Sequence, residues 1–426
     1  MLDQAATQLE PKMVPIESIR FVKELYPRLK PHDEVIQRYR NAIDNLPPIM
    51  VARDGVLVDG YHRWQAHVRE ERQTIETVNL GNLADVEIWR ASIEANSIHG
   101  EQLSVAEKKK EAIKGWGMQA HLPIVERIAD LAKLFGVSRR AVELWTKDAR
   151  AEEKRAVQDR AYDLWLDCYS QRDIAEIIGR EYPAFEGTDH ETVGRWVRGA
   201  KSADAENAPP DSRQHFDIWQ FATADQDAGS QSYFGAMPPQ VMENLLWFFT
   251  EPGDIVVDPF AGSGTTVDVA KAMGRRVWAS DIRGNHYSPH LPIHKHDITT
   301  GWPDAAPGKA DLVFLDPPYW KQASGRYSTE PNELAEMDLA AFYEAWEKVI
   351  DIAVKRAKLI SYIISPTQNE DGSVIDRATD MLDPFCRAGW RVERRIIVPY
   401  QTQQATWARD KKRMLKLYRD LVVLAP

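Results

Sequence analysis

Two cysteines in 426 residues, Cys168 and Cys386, are too few and too far apart for a disulfide framework or a cysteine-based metal site. A reducing compartment, the cytoplasm, is the expectation that follows. No apolar run reaches the roughly 20 residues that a bilayer-crossing helix needs, so no membrane partner is expected. The opening MLDQAATQLEPK lacks the basic-then-apolar order of a secretory signal. An excess of positive charge is lacking as well: 54 Lys and Arg stand against 64 Asp and Glu, for a net charge of -10. That deficit does not exclude a nucleic-acid partner, because binding depends on local patches. One such patch closes the chain, with Arg387, Arg391, Arg394, Arg395, Arg409, Lys411, Lys412, Arg413, Lys416 and Arg419.

What is present is the composition of a folded protein, 43% hydrophobic and 28% charged, at a length that suits two or three domains. Residues 1–115 alternate strand-like and helix-like pieces, which predicts an α+β domain. Residues 116–200 carry helical periodicity and few strand signals. A small, polar stretch closed by Pro209 and Pro210 reads as a linker over 201–210. Over 211–426 apolar runs alternate with amphipathic segments, which predicts an α/β sheet.

Two loops of that last domain carry chemistry. Ile255-Val256-Val257 reads as a buried strand and leads into Asp258-Pro259-Phe260-Ala261-Gly262-Ser263-Gly264-Thr265-Thr266, after which Val267 to Met273 reads as a helix. A strand, a glycine turn and a helix bring backbone amides close to a ligand, and a Cβ would block that approach. The next strand, Arg276 to Ser280, ends at Asp281 and Ile282, roughly 20 residues on, where an acid can accept from a ribose. At a third strand end Asp297 can accept from an adenine amino group while Ile298 packs on the ring. Either acid has a second reading as a cap or turn residue. Leu312 to Leu315 then reads as a buried strand running into Asp316-Pro317-Pro318-Tyr319-Trp320, where two prolines hold the chain extended at the ligand-binding edge of the sheet.

The pair DPFAGSGTT and DPPYW resembles the DNA amino-methyltransferases that make N6-methyladenine or N4-methylcytosine, over roughly residues 215–426. The resemblance implies a Rossmann-like methyltransferase sheet and S-adenosylmethionine as cofactor, held by Asp258, Pro259, Phe260, Ala261, Gly262, Gly264, Thr265, Asp281, Ile282, Asp297 and Ile298. The segment Tyr233-Phe234-Gly235-Ala236-Met237-Pro238-Pro239, with Tyr233 and Phe234 as its cofactor contacts, is similar to the family's segment that closes over the methionine end. It implies a catalytic loop of Asp316, Pro317, Pro318 and Tyr319 acting on a flipped base. An Asp at the first position is commoner in the adenine enzymes, which favours adenine N6 over cytosine N4. Four histidines, His286, His290, His294 and His296, lie between two strands, but Pro289 and Pro292 prevent a single helical face. Methyl transfer needs no metal, and none is expected.

The first half reads as a DNA reader. Asp54-Gly55 predicts a hairpin turn, Val56 to Val58 a strand, and Gly60 the start of a helix whose His62 and Arg63 suit a phosphate. A surface ion pair is the second reading of Arg63. This stretch, with Pro15 to Ile19 and Glu94 to Gly100, resembles the ParB/sulfiredoxin domain over most of residues 13–115. Tyr61 stands where sulfiredoxins carry their cysteine, so the resemblance points away from that chemistry; the matching ParB motif holds nucleotide phosphates, which implies a nucleotide such as CTP, although that motif is richer in acid and arginine than Gly60-Tyr61-His62-Arg63. Arg127 to Trp145 reads as a helix-turn-helix, with the turn at Gly136 and a cap at Ser138, and puts Arg139, Arg140, Glu143 and Lys147 toward a DNA groove. A second copy runs from Gln171 to Gly179 and resumes at Glu191, with Arg195 and Arg198 as contacts. Arg409, Lys411 and Lys412 would add phosphate contacts. The expected partner is double-stranded DNA, bound by a monomer or a homodimer. The competing readings are a ParB-like DNA-binding regulator with a secondary methyltransferase domain, an RNA methyltransferase, and a small-molecule methyltransferase.

Overall fold

The computed structural model describes residues 10–27, 33–98, 103–204, 209–221, 228–230, 237–319, 334–368, 373–399 and 418–426. The chain divides into two compact units, one of Met1–Val157 with Glu176–Thr188, the other of Gln158–Ala175 with Asp189–Pro426. This division differs from the boundaries expected at 115 and 200. Part of the helical region belongs to the unit that holds the large sheet.

The first unit contains a four-stranded sheet built from β1 (Lys12–Pro15), β2 (Ile49–Val51), β3 (Leu57–Asp59) and β4 (Thr74–Asn79), in the order β1-β4-β2-β3. The hairpin between β2 and β3 turns at Asp54 and Gly55, both left-handed, with φ of 50° and 73°. Gly55 is obligatory, because a Cβ there would sit 2.0 Å from the Ser18 carbonyl oxygen. Helices α1 (Asp33–Arg40) and α2 (Tyr61–Arg69) accompany the sheet. Helices α3 (Asp85–Ile98), α4 (Val105–Met118), α5 (Ile124–Phe135) and α6 (Arg139–Trp145) then share a core of Trp89, Trp116, Leu131, Phe135 and Val142. The Arg127 side chain is wholly buried, and its guanidinium donates to Glu153 and to the Leu122 and Ala120 carbonyls, so its charge is fully met. Helix α7 (Lys147–Leu166) contributes residues to both units, as does α8 (Gln171–Glu181).

The second unit holds helix α9 (His190–Asp204), helix α10 (Pro239–Phe249) and a seven-stranded sheet. Its strands are β5 (Ile255–Asp258), β6 (Arg276–Asp281), β7 (Ile293–Lys295), β8 (Ala310–Leu315), β9 (Ala357–Ile364), β12 (Arg391–Pro399) and β13 (Tyr418–Ala425). The two-residue strands β10 (Thr367–Gln368) and β11 (Val374–Ile375) pair separately. The large sheet runs β12-β13-β9-β8-β5-β6-β7. Strands β5 to β9 are parallel, and β13 runs antiparallel to both its neighbours.

Alternation along the strands builds a core on each face. Val256, Leu312 and Phe314 meet Leu245 and Leu246 of α10 on one side. Val257, Val313 and Leu315 meet Phe342, Trp346 and Ile350 of α12 (Leu339–Ala353) on the other. Both faces are covered, which is why these strands read as unbroken apolar runs. Helix α11 (Thr265–Ala272) follows β5, and two short helices, α13 (Arg377–Asp380) and α14 (Asp383–Arg387), precede β12. The stretch from Gln158 is anchored in this unit: Lys271 donates to Asp167 at 2.9 Å, and the Arg276 guanidinium lies over the Trp165 ring at 5.1 Å. Among the described residues no helix is long and apolar enough to cross a membrane.

Candidate active site

Strands β5 and β8 are adjacent and parallel, so the loops after Asp258 and Leu315 emerge side by side at one sheet edge. Their residues line a single cleft. The end of β5 and its loop give Asp258, Phe260, Ala261, Gly262, Ser263, Thr265 and Thr266, the end of β8 and its loop give Phe314, Asp316, Pro317, Pro318 and Tyr319, and Met237 joins them from just before α10. Of the expected site residues, Asp258, Phe260, Ala261, Gly262, Thr265 and the four of the Asp316 loop come together here.

The glycine loop needs its glycines. Gly262 and Gly264 are left-handed, with φ of 46° and 87°. A Cβ on Gly264 would lie 2.3 Å from Leu291 Cδ1. Gly264 also ends in the N-cap position of α11 without offering a side chain, leaving the first helical amides for a ligand or solvent. Segment 228–230 lies against this loop: Ser230 N donates to the Ser263 carbonyl at 3.0 Å and Gly229 N to Asp268 at 2.8 Å.

Three carboxyls surround the loop, each pushed up mainly by burial. Asp258 rises to about 7, with Asp316 and Asp281 adding repulsion, against hydrogen bonds from Thr266 and the Phe260 amide. Asp316, enclosed at the cleft mouth, rises to about 6, held down by the nearby Arg419 charge and by Tyr319. Asp281 is raised too, although the amides of Arg283 and Gly262 donate to it. Buried carboxyls of this kind are stabilised by a cation brought into the cleft. A sulfonium is such a cation, and the apolar Met237, Phe260 and Phe314 suit its alkyl arms, so the residues fit the expected cofactor.

The remaining expected positions are placed as follows. Pro259, Gly264, Asp281, Ile282, Asp297 and Ile298 do not line the cleft, although Asp281 accepts from Gly262 N at 3.1 Å. Asp297 caps a short turn, accepting from Thr299 N at 2.9 Å and Thr299 Oγ1 at 2.7 Å, and Ile298 is buried in the core. Tyr233, Phe234, Arg409, Lys411 and Lys412 lie outside the described residues. Three of the four histidines have separate surroundings: His294 stacks on Trp278 at 4.9 Å, His296 pairs with the Gly301 carbonyl, and His286 meets Tyr287 edge-on.

Met237, inside the segment expected to close over the cofactor, does line the cleft, whereas Ser263, Thr266 and Phe314 were not expected as cleft residues and Arg419 was one basic residue among many. Ser263 and Thr266 stood inside a motif already named. Arg419 had no local signal at all. Its guanidinium lies 5.6 Å from the Tyr319 ring centroid.

In the first unit, α5, the left-handed Gly136 at φ 61° and α6 form a helical corner, and Ser138 Oγ accepts from Ala141 N as a cap. Arg139, Arg140, Glu143 and Lys147 are all exposed on its outer side. Arg195 and Arg198 are exposed on α9. Helices α8 and α9 are joined through a short 3-10 turn, Pro183–Phe185, and a loop, a longer connection than α5 and α6 use. The helix start at Gly60 is differently occupied. Arg63 donates to Asp59 at 2.6 Å and to the Pro47 and Pro48 carbonyls, and Tyr61 N donates to the Tyr26 hydroxyl at 3.4 Å. His62 packs edge-on to Tyr61. At the other end, Arg387 pairs with Glu347 and Asp383, Arg394 with Glu393, and Arg395 with Asp376 and Asp420, so three of the five described basic residues of that stretch have acidic partners.

A family model described as DNA methylase matches residues 97–288, which includes the glycine loop and stops short of Asp316. Among curated proteins, the Type II methyltransferase M.BglII of Bacillus subtilis is 33% identical over 89 residues, covering 21% of this chain and 23% of that protein. Type II methyltransferase M2.DpnII of Streptococcus pneumoniae is 37% identical over 70 residues, covering 16% and 25%. Type II methyltransferase M2.LlaDCHI of Lactococcus lactis subsp. cremoris is 36% identical over 95 residues, covering 21% and 33%. The chain thus spans between 23% and 33% of the length of these relatives. Among solved structures, the chromosome-partitioning protein ParB of Caulobacter crescentus complexed to its centromeric parS site overlaps 44% of this chain and 99% of its own, with 19% identity and a TM-score of 0.25. A precorrin-6y C5,15-methyltransferase of Geobacter metallireducens overlaps 50% and 98%, with 16% identity and a TM-score of 0.29. Neither overlap is deep enough to assign a fold.

Proposed function

We propose that the chain is a DNA methylase of the N6/N4 type, transferring a methyl group to the exocyclic amino nitrogen of a base in double-stranded DNA, most favourably adenine N6; the DNA methylase family model that matches residues 97–288 supports this reading. One observation carries this reading: the glycine loop after β5 and the Asp316-Pro317-Pro318-Tyr319 loop after β8 line the same cleft. S-adenosylmethionine, when bound, supplies an electrophilic methyl group on a sulfonium. The loop from Asp258 to Thr266 would hold it, with Asp281 bracing Gly262, and the sheet would count as Rossmann-like.

The residues of the second loop supply what an amino nitrogen lacks. Its lone pair is delocalised into the base ring, so it attacks poorly. Asp316 accepts one N–H, a backbone carbonyl of the rigid Pro317-Pro318 pair accepts the other, and the nitrogen is drawn toward a pyramidal shape. These fixed acceptors stabilise the positive charge that develops as the C–S bond breaks and the N–C bond forms. Asp316 then stands beside the nitrogen to take the released proton. Tyr319 offers a ring on which the extruded base stacks.

Target choice falls, on this reading, to the exposed arginines of α6 and α9, within a ParB-like and helix-turn-helix half. A nucleotide at the Gly60 helix start is disfavoured by the partners that Arg63 and the Tyr61 amide already have. The test is transfer of labelled methyl from S-adenosylmethionine to duplex DNA, single-stranded RNA and small amines in parallel. Incorporation into duplex DNA is expected; incorporation into RNA alone would replace this reading.

A further inference from the structure

We propose that Arg419 is a positioning residue for this transfer, holding the Tyr319 ring and the ionised Asp316 together in the cleft; the inference rests on the methyltransferase reading above. Topology brings it there. Strand β13 is antiparallel to β9, so its first residues lie at the edge where the parallel strands end. Asp420 pairs with Ile364 of β9, and Tyr362 of β9 pairs with Leu315, the residue before Asp316. From two strands away, about 10 Å at ordinary strand spacing, only a long side chain reaches the Asp316 loop.

Arginine suits this task better than lysine. Its planar cation can lie on an aromatic face while still acting on a neighbouring carboxylate. The guanidinium carbon is 5.6 Å from the Tyr319 centroid, and its charge favours the ionised form of Asp316. The groups facing Asp316 come from three elements. Asp258 at the end of β5 repels it, Tyr319 on its own loop supports its ionised form, and Arg419 on β13 supplies the opposing positive charge. The neighbouring Asp420 points to the opposite sheet face, where Arg395 Nε donates to it at 2.9 Å. Burial alone would drive Asp316 toward its neutral form, which accepts a base N–H less strongly.

The test has two readouts, the titration of Asp316, which needs no turnover, and the KM for duplex DNA. Full-length protein carrying aspartate labelled with carbon-13 at the carboxyl is titrated by NMR, the Asp316 resonance being assigned by its loss in D316N. In R419M the midpoint is expected to rise by about one unit. R419K keeps the charge and loses the stacking plane, so its midpoint stays near the wild-type value while KM for duplex DNA rises. Should R419M fail to bind S-adenosylmethionine or fold, R419K alone decides, because a lysine variant matching the wild type in both readouts overturns the proposal. Unchanged midpoints in both variants overturn it as well. A wild-type protein that methylates no nucleic acid would instead refute the functional reading, and the NMR midpoints would still judge Arg419.

Discussion

The Asp281 carboxylate ties two strand ends together: one oxygen accepts from the Gly262 amide at 3.1 Å, the other from the Arg283 amide at 2.9 Å. Removing it frees the glycine loop that, on the proposed reading, holds the cofactor. Asp281→Ala is therefore expected to weaken S-adenosylmethionine binding by about tenfold or more, equivalent to about 1.4 kcal/mol. Calorimetric titration measures this. An unchanged Kd would show that Asp281 merely terminates a strand.

The Asp316 carboxyl is raised to about 6 by burial, and the transfer needs its ionised form. The methylation rate should accordingly fall as pH drops through about 6 and level off above neutrality. Initial rates under saturating cofactor and DNA from pH 5 to 8 test this. A flat profile would contradict the role given to Asp316.

Asp258 is 2% exposed and raised to about 7. A folded-state pKa above the unfolded one means that the native protein binds the proton more tightly. The stability contributed by this group is full below roughly pH 4, the unfolded carboxyl range, and is lost as pH rises through about 7. Asparagine cannot ionise, so the stability of Asp258→Asn relative to wild type should improve between about pH 4 and pH 7 and level off above that. Thermal melts across that range decide the point; a difference that stays constant or reverses would contradict the environment described.

Gly264 combines φ of 87° with a Cβ position 2.3 Å from Leu291 Cδ1. Gly264→Ala is expected to cost about 1–3 kcal/mol in urea unfolding. Cofactor affinity should fall with it, because the first turn of α11 must move. A neutral substitution would mean that the loop accommodates a side chain.

The exposed Arg139 and Arg140 on α6 are assigned to DNA on the proposed reading. Replacing both with alanine should weaken DNA binding and lower the slope of log K against log salt by about one for each lost phosphate contact. Anisotropy titrations at several salt concentrations measure it, and an unaltered slope would move the DNA surface elsewhere.

What could be read in the sequence follows from locality. Strands β5, β6 and β8 were legible because burial on both faces makes each a short continuous apolar run, and the two loops that follow β5 and β8 keep their chemistry within a few residues. The cap at Ser138, the turn at Gly136 and the hairpin at Asp54-Gly55 were legible for the same reason. Arg419 was not, because only the antiparallel pairing of β13 with β9 delivers it to a loop 100 residues earlier in the chain. The partners of Arg63 depend likewise on the carbonyls of Pro47 and Pro48, which no local pattern announces. The compact units also escaped the sequence, since the polar stretch at 201–210 looks like a boundary while Lys271 and Arg276 hold Asp167 and Trp165, at the end of α7, within the second unit.

The account turns on Asp316. The most direct measurement is modified-base sequencing of DNA from a methylation-deficient host expressing either the wild-type protein or Asp316→Ala, paired with S-adenosylmethionine titration of both purified proteins. The expected result is amino-methylated bases within a consensus motif for the wild type, none for the variant, and comparable cofactor affinity in the two. Methylation that persists in Asp316→Ala would contradict it.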